Sequence, residues 1–383
     1  MKLIAGAGLL LIAAQMQACG EQVDADTRRL EGREIFRHDT FGDERQWTDV
    51  LRMHEVIESA VDPTTALSVG LKVDSEVLPP GILQSADLKS PATTVALIKL
   101  NAVVGIKGTV VSEGGRDRLT RVGITCALCH STVDDSVMPG IGRRLDGWAN
   151  TTLNPGAIIA LSPALTAEQK AVYNSWGPGR YDPRFNIDGR STPLVIPPAY
   201  GLRDVPHATF SGDGDVPYWN NYVAVTQMGG QGTFVDERLN IERRLPEGTE
   251  DLVRPKLPAL RDYQLSLEAP PPPAGSFDAT AAQRGRTVFE GAGRCSSCHQ
   301  GDRRTQDALH APADTGVDGA YAARTATRRY RTTPLRGLWQ HAPYFHDGSA
   351  RTLAAVVDHY EAALGLRLTA AQKADLVEYL KSI

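Results

Sequence analysis

Methionine is absent from the whole stretch after Met228. The C-terminal part of the chain therefore offers no thioether as a ligand. Long apolar runs are scarce as well. Beyond Leu3–Ala14, no segment stays apolar for the ~20 residues that a membrane-spanning helix needs. Acidic residues outnumber basic ones slightly, 45 to 41, and a net charge of −4 leaves no basic footprint for nucleic acid. Aromatics make up only 6% of the residues, whereas Gly (36) and Pro (24) are plentiful. That balance suits a mostly α, loop-rich protein. No strand-rich repeat stands out. Cysteine is limited to five residues, and four of them fall in two copies of one signature.

Cys126-Ala127-Leu128-Cys129-His130 and Cys295-Ser296-Ser297-Cys298-His299 are both Cys-x-x-Cys-His, the attachment pattern of a c-type haem. Thiols at i and i+3 on one turn reach the two vinyl groups of a porphyrin. The following His130 or His299 then supplies the proximal ligand to iron. A zinc site needs its Cys pairs close enough to build one tetrahedron; here they are far apart in the chain. A thioredoxin-like pair needs a βαβ context, which the flanking sequence lacks. The expectation is two covalent haems, one per motif.

Residues 1–18 read as a secretory signal: one lysine, a short apolar run and small residues before a cleavage point. Cys19 follows directly and reads as a lipid-acylated N-terminus, with an ordinary cleaved signal as the alternative. An exported, periplasmic protein, anchored through Cys19, is expected. About 360 residues remain after the signal, enough for two or three domains.

Ala269–Gly275 is a proline-rich linker, because a proline run has no backbone donors and prefers extended geometry. It separates two cytochrome c-like units, each with one haem motif. The expected organisation is an N-terminal extension of unknown role over 19–115, a first haem domain over 116–268 and a second over 276–383. In the second, a helix beginning near Thr280 leads into the haem motif. A capping box, Thr369-Ala-Ala-Gln372, opens the closing helix. Helical periodicity is also expected at Trp47–Ser59 and Thr93–Val103, and from the capping box Thr166–Gln169 to about Ser175.

The run Thr332-Thr-Pro334-Leu-Arg336-Gly-Leu-Trp-Gln-His-Ala342-Pro343-Tyr344-Phe345-His346-Asp347-Gly348 resembles a segment of the bacterial di-haem cytochrome c peroxidase superfamily. That superfamily also holds the di-haem enzyme that forms tryptophan tryptophylquinone, with rubber oxygenase a more distant relative. The likeness is strong over about 280–383 and weaker over about 121–235. It speaks for superfamily more than for reaction.

The resemblance implies several roles. Trp148 stands where the peroxidases carry a tryptophan between the haems, with a core aromatic as the alternative; Asp146 stands where they carry a distal His. Alignment from His346 places Tyr360 at the vacated methionine position of the second haem, with His346 and His359 as rivals. For the first haem the remaining candidates are Met228, Met138 and His207. Asp213 and Asp215, in a stretch similar to one near the peroxidase's first haem, are candidate proton carriers or a surface turn. Asn154 aligns with a calcium ligand, so Ca2+ is a further expectation. Some of the arginines Arg303, Arg304, Arg324, Arg328, Arg329, Arg331 and Arg336 are expected to meet haem propionates, and the rest to form a solvated face or a docking patch for an acidic partner. The implied activity is electron transfer with reduction of hydrogen peroxide, the electrons coming from a small donor such as a cytochrome or cupredoxin. Two alternatives are a non-enzymatic electron carrier and an oxidase or oxygenase of an organic or protein substrate.

Overall fold

The computed structural model describes residues 24–383, so the expected signal and Cys19 lie outside the described residues. Of the described residues 41% are helical and 13% lie in strands, a mostly α fold. Among the described residues the strands form two-stranded ribbons.

The helical stretch expected at Trp47–Ser59 is broken in two. A π-helical turn, Arg45–Val50, is followed by α1, Met53–Ala60. The break falls at Arg52, which adopts φ +56°, a conformation no helix interior accepts. Helix α2 is Pro91–Lys99, opened by a proline in its first turn. It stops short of the expected Val103 because Asn101 turns left-handed and Val103 bridges to Val73.

A long antiparallel hairpin follows, β1 (Ile106–Glu113) and β2 (Arg116–Ile124), turning through Gly114 and Gly115. Both glycines have positive φ, which favours glycine in a tight turn. The expected boundary at 115/116 falls inside this turn. The extension and the first haem unit are therefore paired strand to strand, not divided. β2 ends just before Cys126, so the hairpin aims the haem motif. The motif turn, α3 (Ala127–His130), is gripped on two sides. Leu128 packs into a core with Trp47, Ile98, Leu119 and Leu153, and Ala127 into another with Phe36, Tyr222 and Leu260. Gly105 lies so close to the Leu128 backbone that an added Cβ would sit 2.2 Å from it.

The next ribbon pairs β3 (Ser131–Val133) with β4 (Arg144–Asp146). Helices α4 (Pro155–Ala160) and α5 (Ala167–Asn174) follow, and α5 carries the complete capping box at Thr166 and Gln169. Helices α6 (Val216–Tyr222) and α7 (Leu257–Ser266) close the first unit.

In the second unit, α8 (Ala279–Glu290) leads into the haem motif, α9 (Leu353–Leu364) follows the Ala342–Gly348 run, and α10 (Ala370–Lys381) ends the chain. α8 and α10 cross at Gly285, where an added Cβ would sit 1.9 Å from the Asp375 carbonyl oxygen. Val288, Phe289, Val357, Leu376 and Leu380 form the core beside this crossing.

The two units are bolted together by buried ion pairs. Arg324 of the second unit meets Asp182 at 2.9 Å and the partly exposed Asp188 at 2.8 Å, while Asp213, paired with Arg184 at 2.5 Å within the first unit, accepts from the Ala326 and Thr327 N–H groups of the second. The ring of Tyr321, also fully buried, lies between the Arg184 and Arg324 guanidiniums at 5.8 and 5.6 Å.

Candidate haem sites

Each Cys-x-x-Cys-His motif opens onto its own cavity. In the second unit, Gly291 and Gly293 let the chain leave α8 and wind back through Cys295–Ser297. The backbone N–H groups of Cys298 and His299 both return to the Cys295 carbonyl, at 3.2 and 2.9 Å. That one turn places both thiols and the imidazole on the wall of a cavity of about 400 Å³. In the first unit the His130 N–H returns to the Cys126 carbonyl at 3.2 Å. Cys126, Cys129 and His130 then face a cavity of about 220 Å³.

The donor set fits c-type haem in both. His299 Nδ1 donates to the Arg304 carbonyl at 3.0 Å, and His130 Nδ1 to the Pro197 carbonyl at 3.0 Å. A backbone acceptor on Nδ1 fixes the tautomer that leaves Nε2 free for a metal. Burial lowers both imidazole pKa values, that of His299 to about 4, so each ring is neutral. Burial also pushes the Cys126 and Cys129 thiols up to about 12 and Cys295 up to about 11. The two pairs face different cavities, so they cannot form one four-thiolate site.

Tyr360 lies on α9 in the wall of the second cavity. Burial, with smaller contributions from Cys295 and Cys298, raises its pKa to about 12. Its hydroxyl has no hydrogen-bond partner among the described residues. The rivals are more committed. His346 lines the same cavity, but its Nε2 is 3.0 Å from the Tyr330 hydroxyl and its ring stacks on Tyr330 at 4.4 Å. His359 turns its Nε2 to the Thr315 carbonyl at 2.9 Å. One residue escaped sequence reasoning: His341 lines this cavity, and burial lowers its pKa to about 4. Its ring meets Tyr344 edge to face and hydrogen-bonds to no other side chain among the described residues. The available signal was an extra His five residues before His346 in the most recognisable run of the chain.

Met228 lines the first cavity at the end of a π-helical turn, Val223–Met228, while its carbonyl accepts from Trp47 Nε1 at 3.0 Å. Met138 is exposed, and His207 donates toward the Asp307 carbonyl; neither lines a haem cavity. Asp146 lines neither cavity. Ser131, Tyr263 and Arg37 hold it at 2.7, 2.6 and 2.5 Å.

Trp148 also lines neither cavity. It meets Trp339 edge to face with centroids 5.6 Å apart. Its neighbours Gly147 and Asn150 donate to the carbonyls of His130 and Cys129, while Trp339 is flanked by Leu338 and His341 of the second cavity wall. Asp213 and Asp215 are likewise outside both walls. Asp213 is saturated by Arg184, Ser211 and the backbone of Ala326 and Thr327, and Asp215 caps α6 through Tyr218 N–H. Asn154 caps α4 through Ala157 N–H at 3.0 Å. Among the described residues no group of three or more His, Cys, Asp or Glu side chains is placed to hold a metal ion.

The two cavities share a wall. Val195–Pro198, Leu202 and Phe210 line both. Pro197 orients His130, and Val195 N–H donates to the His346 carbonyl at 2.8 Å. The cavities differ in charge. The first has no charged side chain in its wall, whereas the second has Arg294, Arg331 and Arg336 against a single acid, Asp314.

Residues 329–362 match the family described as "RoxA-like, cytochrome c-like". The chain is similar to the methylamine utilization protein MauG of Methylorubrum extorquens, with 38% identity over 21% of this chain and 24% of that one. MauG of Methylophilus methylotrophus shares 29% identity over 27% and 36%. The chain thus spans about a quarter to a third of these curated relatives. Among solved structures, Kuenenia stuttgartiensis hydrazine synthase overlays with a TM-score of 0.35 and 20% identity, over 50% of this chain and 73% of that one. A MauG-like protein associated with microbial copper homeostasis overlays with a TM-score of 0.27 and 24% identity, over 36% and 57%.

Proposed function

From a chain that belongs to the bacterial di-haem cytochrome c peroxidase-like superfamily and takes c-type haem as cofactor, we propose an exported di-haem electron-transfer protein that reduces hydrogen peroxide. Cys126, Cys129 and His130 would hold one haem; Cys295, Cys298 and His299 would hold the other. Bound haem supplies one-electron iron chemistry and a coordination position for a small oxidant. The observation that carries the proposal is the shared wall: two cavities, each entered by one haem motif, lie on opposite sides of Val195–Pro198.

The chain's own residues do the rest. The Pro197 and Arg304 carbonyls hold the imidazoles in the metal-binding tautomer. Tyr360 offers a phenol oxygen to the second site and Met228 a thioether to the first. The Trp148–Trp339 pair spans the region between the two motifs and is a route for electrons. The donor is a small redox protein, such as a cytochrome or cupredoxin, working in the periplasm; Cys19 provides the lipid anchor. Cys19→Ser should move the protein from the detergent phase to the aqueous phase, and equal partitioning of the two forms would exclude the anchor.

A second reading, oxidation of an organic substrate at the first site, is favoured by that cavity's lack of charged side chains. Electron paramagnetic resonance before and after one-electron reduction, with peroxide turnover assayed in parallel, tests the main proposal. A high-spin signal from one haem together with turnover supports it. Two low-spin haems in every state indicate an electron carrier, and a high-spin haem without peroxide turnover points to the second reading.

A further inference from the structure

Arg331 is a charge without an acidic partner. Its side chain lines the second cavity, its Nε is buried with no hydrogen bond, and one Nη donates to the His207 carbonyl. Unlike Arg184 and Arg324, it meets no carboxylate among the described residues. Nothing offsets the burial that lowers its pKa. Taking a guanidinium out of water costs several kcal/mol unless an anion compensates. The wall that carries it is already cationic, with three arginines against one aspartate. The anion must therefore come with whatever fills the cavity.

We propose that Arg331 is the counter-charge for a propionate carboxylate of the haem held by Cys295, Cys298 and His299, and that it raises that haem's reduction potential. The inference rests on the di-haem reading. A guanidinium suits the task because its planar fork matches a carboxylate. Reduction adds an electron near this carboxylate, so a cation beside it favours the ferrous form, and its removal favours the ferric form. The first cavity has no charged side chain in its wall and lacks this device, so the two haems are biased toward different potentials. Arg336, also in the second wall and donating to the Gly201 carbonyl at 2.8 Å, is the candidate for the other propionate.

A merely structural role is the competing account, because Arg331 also ties its unit to the 207–210 loop through His207 and Phe210. The test is redox potentiometry on the haem-loaded full-length protein, comparing wild type with Arg331→Gln, Arg331→Met and Arg331→Lys. Haem stoichiometry is measured first by mass spectrometry. Loss of charge should shift the second haem's equilibrium toward ferric by on the order of tenfold, which is about 59 mV for a one-electron couple. Arg331→Lys should keep most of the wild-type potential, and the first haem should not move. If the neutral variants lose only the second haem while Arg331→Lys retains it, the charge requirement is upheld. Unchanged potentials in the neutral variants, with or without lower stability, overturn the proposal and leave Arg331 as a clamp. A wild-type protein with no second haem defeats the di-haem reading itself.

Discussion

His130 donates through Nδ1 to the carbonyl of Pro197 at 3.0 Å, and Pro197 lies in the wall that both cavities share. The imidazole proposed as the proximal ligand of one site is thus anchored to the boundary of the other. His299, by contrast, is held from within its own motif region by the Arg304 carbonyl. Changes in the 195–198 segment should therefore disturb the first haem by tilting His130 and the second by reshaping its cavity.

Tyr360 is the strongest candidate for the second haem's distal ligand, and His341 is its main rival. Tyr360→Phe keeps the ring but removes the oxygen. It should turn this haem high-spin or recruit another ligand, with a clear change in the visible spectrum. If Tyr360→Phe matches wild type and His341→Ala does not, the ligand is imidazole. His346→Ala should act differently, loosening the Tyr330 stack and lowering stability.

Trp148→Phe and Trp339→Phe test the aromatic route. Each should slow electron exchange between the haems, measured after rapid one-electron reduction, while leaving both ground-state spectra intact. Rates equal to wild type in both variants would show that electrons cross elsewhere, with the 195–198 wall as the alternative path.

Arg324 is the bolt between the units. Both it and Asp182 are fully buried, so Arg324→Met strands Asp182 without a counter-ion. The expected loss is about 3–5 kcal/mol, read from denaturant unfolding of the haem-loaded protein. A loss below about 1 kcal/mol, the size of an exposed pair, would contradict the buried-bolt account.

Asp43 gives a pH dependence. It is fully buried, and burial raises its carboxyl pKa from 3.8 to about 9. The folded state therefore holds a proton that the unfolded chain has already lost. Its contribution to stability is fully present below pH 3.8 and is lost as pH rises toward 9. Asp43→Asn mimics the neutral acid and should flatten this part of the stability profile. An unchanged slope between those limits would show that Asp43 is ionised in the fold.

Much of this site was legible because covalent haem chemistry is written locally. The five-residue motifs give the thiols and the imidazoles, and the capping boxes at Thr166 and Thr369 give two helix starts. What stayed hidden depends on contacts between distant residues. Asp146 stands where the peroxidases carry a distal His, but only the fold shows Arg37, Ser131 and Tyr263 closed around it. Asp213 looked like a proton carrier, yet its charge serves the unit junction. The β1–β2 hairpin escaped notice because strand pairing across Gly114-Gly115 has no helical period to betray it. The shared wall could not be foreseen, since Val195–Pro198 carries no chemistry-bearing side chain and acts through carbonyls and shape.

The central claim is one covalent haem at each motif, and the mass of the denatured protein tests it directly. Wild type made in a host competent for haem attachment should carry two haem adducts. Changing Cys126 and Cys129 to Ala should leave one, at Cys295 and Cys298, and changing Cys295 and Cys298 to Ala should leave the other. A wild-type mass with fewer than two adducts, or a loss of both from either pair of substitutions with the protein still folded, would contradict the account.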